Sequence, residues 1–319
     1  MSDSDTPLSI ERPLSLRQIL RLNSRERLLV PPLRWTDRHL ELLRCSFDEP
    51  CPAAPCTQAD TREYSGRVFN NLVLSQWKMG AREGHVPGIL TEADCPLKRG
   101  PRLNFWFNSR CAVALLCSSF LARAKSGSGS PSPPVAAYID LQRPQYTRSE
   151  VLTPYCGTNR RGRDLTGDLY TKMLKHITPK EPTRDPYIAA VLIALAQKQR
   201  RLAGTDSNGS RRLKFLPKVL VSSLDRKCAH IYSAEVSSHF LDWLAYPAIA
   251  PSTPASMVIR ITAVPYEPHI SLRHRLFALL LSSENDGLDT CRTSPDDTVL
   301  DKPAPLPLSS QPGAPIAHE

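Results

Sequence analysis

Between Asp185 and Arg201 the chain reads D-P-Y-I-A-A-V-L-I-A-L-A-Q-K-Q-R-R, with ten consecutive apolar residues from Tyr187 to Ala196. Apolar residues on every face predict a helix that is covered on most sides, the centre of a core. Asp185 is placed to cap its first free N–H groups, and Pro186 sits at the first helical position, where a missing N–H costs nothing. Lys198, Arg200 and Arg201 suit the negative end of the helix dipole. The apolar run is too short to span a bilayer, which takes about 20 residues.

The flanking pattern predicts further elements. Leu14 to Arg27 reads as a short basic helix, with Leu16, Ile19, Leu20 and Leu22 apolar, that stops before Pro31 and Pro32. Leu33 to Phe47 reads as the first core helix, capped by Thr36 or Asp37, with His39, Leu40, Leu42 and Leu43 on its apolar face. Pro50, Pro52 and Pro55 then predict an irregular loop. Tyr64 to Trp77 is expected to supply a strand or an irregular segment. From Pro101 an extended aromatic stretch is expected to lead into a buried helix from about Ser109 to Ala124. Val135 to Leu141 is a strand candidate. Leu165 to Ile177 is an amphipathic helix with Leu169, Tyr170, Met173, Leu174 and Ile177 inside, stopped by Pro179.

Beyond the polar turn at 204–210 the period changes from helical to extended. Leu213–Val221 and His230–Val236 predict an antiparallel hairpin. Ser237 or Ser238 caps a short helix carrying Phe240, Leu241, Trp243 and Leu244. A strand at Met257–Val264 leads through P-Y-E-P into a last helix at Ile270–Leu281. The fold class expected is therefore α+β, with helices around a small, mostly antiparallel sheet in one main domain with disordered termini. Residues 1–30 are expected to be mostly disordered around the short basic helix, and 31–282 to form the domain, with a flexible Ser/Gly/Pro insertion at 125–134. The acidic, proline-rich tail at 283–319 has too few bulky apolar residues to offset its ordering entropy.

Composition sharpens the setting. The chain has 319 residues, 30 of them proline, and a formal charge of +10, which suits an acidic partner. Nine cysteines, an odd number scattered along a long chain, read as reduced intracellular thiols. The N-terminus, M-S-D-S-D-T-P-L-S-I, lacks the basic and apolar regions of a secretory signal. The location expected is cytoplasmic or nuclear, without membrane association.

Each candidate chemistry competes with a plainer reading. His39, Cys45, Cys51, Cys56 and Cys95 are the nearest approach to a zinc set, but their C-x5-C and C-x4-C spacings lack the tight knuckle of structural sites, so ordinary thiols are preferred. Cys156, beside Arg160, Arg161 and Arg163, has the most electropositive surroundings of any thiol. Nothing in the sequence brings His176 or His230 to it as a base. Cys111 and Cys117, in an apolar run, read as core. No Gly-rich phosphate loop is present. The turn G-T-N-R-R-G-R could hold an anion through Arg160, Arg161 and Arg163, against the alternative of a solvated basic turn. A metal-dependent nuclease of the restriction-endonuclease type needs carboxylates on neighbouring strands and an E-x-K pair; Asp140 and Glu235 are present, but Ser237 stands where the lysine belongs. Lys198, Arg200, Arg201, Arg211, Arg212 and Lys214 form the best nucleic-acid candidate, with cations for phosphates but no aromatic residues beside them for stacking. No metal, cofactor or catalytic residue is expected.

The strings W-T-D-R-H-L-E-L-L-R-C-S-F (35–47), L-N-F-W-F-N (103–108), D-P-Y-I-A-A-V-L-I-A-L-A-Q (185–197), H-I-Y-S-A-E-V-S-S-H-F-L-D (230–242) and I-T-A-V-P-Y-E-P (261–268) together resemble a group of uncharacterised proteins from filamentous fungi. The resemblance spans most of 31–281. It implies one folded unit with disordered ends in an intracellular fungal setting, and it brings no activity, ligand or site residue with it. The function expected first is a non-enzymatic protein-interaction module acting on an unknown protein partner, with proline-rich ends that could fold on that partner. The second is a nucleic-acid-associated protein, with a degenerate nuclease-like fold as its candidate scaffold. The third is an enzyme with an unfamiliar small-molecule site, which would show a concave pocket with convergent polar groups.

Overall fold

The structure is a computed structural model that describes residues 13–54, 79–123, 132–153, 165–203, 214–222 and 227–282. The expected segments at 64–77 and 204–210, the tail at 283–319, most of the 125–134 insertion and the turn at 157–163 lie outside these residues.

In chain order, α1 (Leu16–Leu22) begins at Ser15, whose hydroxyl accepts from the Gln18 N–H in a capping box. A 3-10 turn at Pro32–Arg34 precedes α2 (Asp37–Leu42), β1 (Cys45–Phe47) and β2 (Cys51–Pro52). Next come α3 (Met79–Leu90), β3 (Leu97–Arg99), β4 (Asn104–Phe107), β5 (Arg110–Ala114), β6 (Ser118–Ala122) and β7 (Pro134–Asp140). Three helices follow: α4 (Gln142–Leu152), α5 (Leu165–Ile177) and α6 (Pro186–Leu202). The chain then runs through β8 (Lys214–Phe215), β9 (Lys218–Ser222), β10 (Cys228–Ala234), β11 (Val236–Ser237), α7 (Ser238–Ala245), β12 (Met257–Pro265) and α8 (His269–Leu281).

The class is α+β, but the sheet is large and mixed rather than small and mostly antiparallel. Its strands run in the order β1-β12-β10-β9-β7-β6-β3, with β2 also beside β12. The β1/β12, β2/β12 and β7/β9 ladders are parallel; the other four are antiparallel. The parallel β7/β9 step is bridged by α4, α5 and α6, which is the helical crossover that parallel neighbours require.

Side-chain alternation shows why the inner strands carry nearly continuous apolar runs. Ala137, Ile139, Val219, Val221 and Tyr232 join the core built around α6, whereas Ala136, Tyr138, Leu220 and Ile231 join a second core with α3 and α8. Both faces are covered, so alternate positions are both apolar. As its pattern predicts, α6 is buried from Pro186 to Gln197, and the Asp185 carboxylate accepts from the Tyr187 N–H at 2.9 Å.

Several local expectations fail for identifiable reasons. Where a buried helix is expected at 109–124, the described residues form the strands Arg110–Ala114 and Ser118–Ala122. Asn108 and Ser109 both adopt positive φ, 51° and 57°, the two-residue turn that suits the twist of a hairpin and joins β4 to β5. Cys111 on β5 is consequently exposed rather than part of the core. The first core helix is confined to six residues, since Arg44 turns to positive φ and the chain continues as β1. The proline-rich loop after it includes β2, at the sheet margin, where Pro52 is tolerated because no ladder donor is needed from it.

Candidate functional site

Of the six cations proposed for nucleic acid, four fall within the described residues. Lys198 is half-buried on α6. Arg200 Nη1 donates to Asp242 Oδ1 of α7 at 2.7 Å, and Lys214 Nζ pairs with Glu235 Oε1 at 2.6 Å. The Arg201 guanidinium carbon lies 3.6 Å from the centre of the Trp106 ring. Trp106 is the aromatic partner that is missing from the neighbouring sequence. It is held there by Gln197, which accepts from its N–H at 2.9 Å and donates to its carbonyl at 2.8 Å. Burial, followed by the neighbouring Arg200 charge, pulls the Arg201 pKa below its usual value. Arg211 and Arg212, like Arg160, Arg161 and Arg163, lie outside the described residues.

The remaining sequence candidates disperse. Cys45 is buried, and desolvation pushes its thiol up to about 12; burial does the same to Cys117. Cys56 and Cys156 lie outside the described residues. Among the described residues no group of three His, Cys, Asp or Glu side chains converges as a metal site would require. Asp140 is fully buried, and both of its oxygens accept from Arg82 of α3, at 2.6 and 3.0 Å. Glu235 is the partner of Lys214. The two carboxylates considered for a nuclease are therefore each held by a cation.

The fold also forms a concavity that no local sequence pattern records. A cavity of about 380 Å³ opens between α1, the 28–32 segment, α2 and the β4–β5 hairpin, within the size range of small-molecule sites. Its walls are apolar: Leu16, Ile19 and Leu20 come from α1, Trp35 and Phe105 from the interior, and Ala112 from the exposed face of β5. Helix α1 is fixed over it by the Arg17 N–H, which donates to the Pro247 carbonyl at 2.8 Å, and by Trp243 Nε1, which donates to the Leu14 carbonyl at 3.2 Å.

Among the described residues one polar side chain, His39, stands in this wall, stacked on Trp35 with ring centres 5.9 Å apart. It occupies the third position of α2, where the backbone N–H of Thr36 donates to Nδ1 at 3.0 Å. That contact makes Nδ1 an acceptor and assigns the proton of the neutral ring to Nε2. Desolvation lowers the pKa of the ring, against a smaller opposing pull from the nearby carbonyls of Arg27 and Leu28. The residue is 8% exposed, and Nε2 has no partner in hydrogen-bonding geometry. A buried donor left in that state costs about 1–3 kcal/mol.

A second cleft of about 600 Å³ meets the first at Leu28, Val30 and His39. Arg25, Arg27, Arg34, Arg38 and His176 surround it, with Glu26 as the only carboxylate among the described residues, over a floor that includes Leu152, Met173 and Ile177. In sequence these arginines read only as part of a basic helix and its flank. The signal available was the R-E-R run at 25–27 closing on Arg34 and Arg38, but its convergence depends on how 23–36 folds back on α2. No family model and no curated protein matches the chain.

Proposed function

We propose that this is a non-enzymatic, intracellular binding protein whose ligand is a small molecule with an apolar body, held in the cavity between α1, α2 and the β4–β5 hairpin. The observation that carries the reading is the cavity itself, about 380 Å³ and walled by apolar side chains, with Leu29 and Ala112 exposed at its edge. A hydrocarbon body that fills it would gain about 0.8 kcal/mol per buried methylene. The same geometry favours binding over turnover. With Nδ1 accepting from a backbone N–H and Nε2 protonated, the ring has no free lone pair with which to take a proton. This departs from the first expectation from the sequence, protein–protein contacts, and takes up the concave pocket of the third without its turnover.

The test is titration with 1-decanol, followed by Trp35 fluorescence and thermal unfolding. At 100 times the dissociation constant, binding adds about 2.7 kcal/mol, equivalent to roughly 5–10 °C for a domain of this size. Ala112→Trp, which fills the cavity from an exposed strand position, should abolish both signals. Absence of saturable binding in the wild type would refute the reading.

A second reading, nucleic-acid association, is favoured by the Arg201–Trp106 pair, which supplies the cation and aromatic surface that single strands use. A degenerate nuclease-like core agrees with it: helix α3, the β3–β6–β7 meander, α6 and the β9–β10 pair supply the scaffold, and the carboxylates are occupied by Arg82 and Lys214. Binding of a single-stranded oligonucleotide should weaken linearly on a log–log salt plot, and Trp106→Ala should cost about 1–3 kcal/mol. Charge reversal at Arg211 and Arg212 should abolish it. Binding indifferent to Trp106→Ala would remove this reading.

A further inference from the structure

The cation-walled cleft says more about the ligand of the neighbouring cavity. Arg38 is fully engaged, with Glu26 at 3.1 Å, Glu41 at 2.8 Å and the Asn23 side chain at 2.8 Å. Glu26, the one carboxylate lining the cleft among the described residues, is thus already paired, on a guanidinium it shares with Glu41. Arg25, Arg27 and Arg34 remain, and among the described residues none of the three side chains makes an ion pair or a hydrogen bond. Unpaired guanidiniums around one concavity repel one another, and their fork geometry matches carboxylate and phosphate oxygens.

The cleft adjoins the apolar cavity. Leu28, Val30 and His39 line both, so an apolar chamber and a cationic one lie side by side. We propose that the ligand is an alkyl-chain acid, with its hydrocarbon tail in the apolar cavity and its anionic head, a carboxylate or a phosphate monoester, on Arg25, Arg27 and Arg34. The inference rests on the cavity reading above and adds the chemistry of the head.

The two can be separated with three probes of equal chain length: decanoate, decyl phosphate and 1-decanol. Titrated into the full chain, both acids should bind at least about tenfold more tightly than the alcohol, a difference of about 1.4 kcal/mol, and the advantage should shrink as ionic strength rises. Whichever acid binds more tightly identifies the head group. In the triple variant Arg25→Gln, Arg27→Gln, Arg34→Gln, the advantage should vanish while 1-decanol binds as before. These arginines are exposed or half-buried, and the salt titration of the wild type supplies the same information without any substitution. Equal binding of alcohol and acids, or acid binding unchanged by salt and by the triple variant, overturns the anionic head and leaves the cavity reading intact. No binding of any of the three probes overturns both.

Discussion

The strongest test of how this fold holds together is the pair Arg148–Asp185. Arg148 of α4 is fully buried; its Nη1 and Nη2 donate to Asp185 Oδ2 and Oδ1 at 2.7 and 2.6 Å, and its Nε donates to the Leu33 carbonyl at 2.8 Å. Asp185 Oδ1 also caps α6. One guanidinium thus ties α4, the 3-10 turn before α2 and the start of the central helix together. Replacing Arg148 with Met leaves a buried carboxylate with a single remaining donor, which costs about 3–5 kcal/mol. The orphaned Leu33 carbonyl adds about 1 kcal/mol or more. Against a total stability of about 5–15 kcal/mol, that is a third to most of it. Asp185→Asn removes the charge while keeping an acceptor for Tyr187, so the double variant should be more stable than the two single losses summed, by about 2 kcal/mol. Urea unfolding followed by tryptophan fluorescence measures all four corners of this cycle. An Arg148→Met loss under about 1 kcal/mol, or additivity within about 0.5 kcal/mol, would refute the argument that the fold depends on this buried pair.

Three further outcomes are expected. Because burial holds the His39 pKa below its ordinary 6.5, the unfolded chain binds that proton more tightly. The contribution is complete above 6.5 and is lost as pH falls from there through the folded-state value, so the urea midpoint should drop across this window and His39→Gln should flatten the decline. Alkylation at pH 8, mapped by mass spectrometry, should label Cys111 early and spare Cys45 and Cys117, whose thiols are pushed up to about 12; equal labelling would contradict their burial. Gly100→Ala should destabilise by about 1–3 kcal/mol, since a Cβ there would meet the Ser119 backbone at 3.2 Å where the Gly100 N–H donates to the Ser119 carbonyl. An unchanged urea midpoint would show that β6 can yield.

What could be read in the sequence divides by the range of the forces involved. Helix α6, with Asp185 as cap and Pro186 next, and α7, with Ser237 accepting from Phe240, are specified within a few residues and emerge as expected. The strands at 104–122 pair with near neighbours, β4 with β5 and β6 with β7, but their apolar runs carry the same local signal as a buried helix. Only the Asn108–Ser109 turn could have distinguished them. Trp106 reaches Arg201 through a fold contact across 95 positions, which no local pattern records. His39 is the instructive intermediate case. Thr36 and His39 stand three apart, as in a capping box, and the spacing is visible in W-T-D-R-H-L. A glutamate or glutamine at that third position spends its acceptor on the cap and ends there. An imidazole spends Nδ1 on the Thr36 N–H and still has Nε2–H on the far side of a rigid ring, where it is buried. The cap was legible; the burial of the second donor it leaves over depends on how the 27–28 segment folds back on α2.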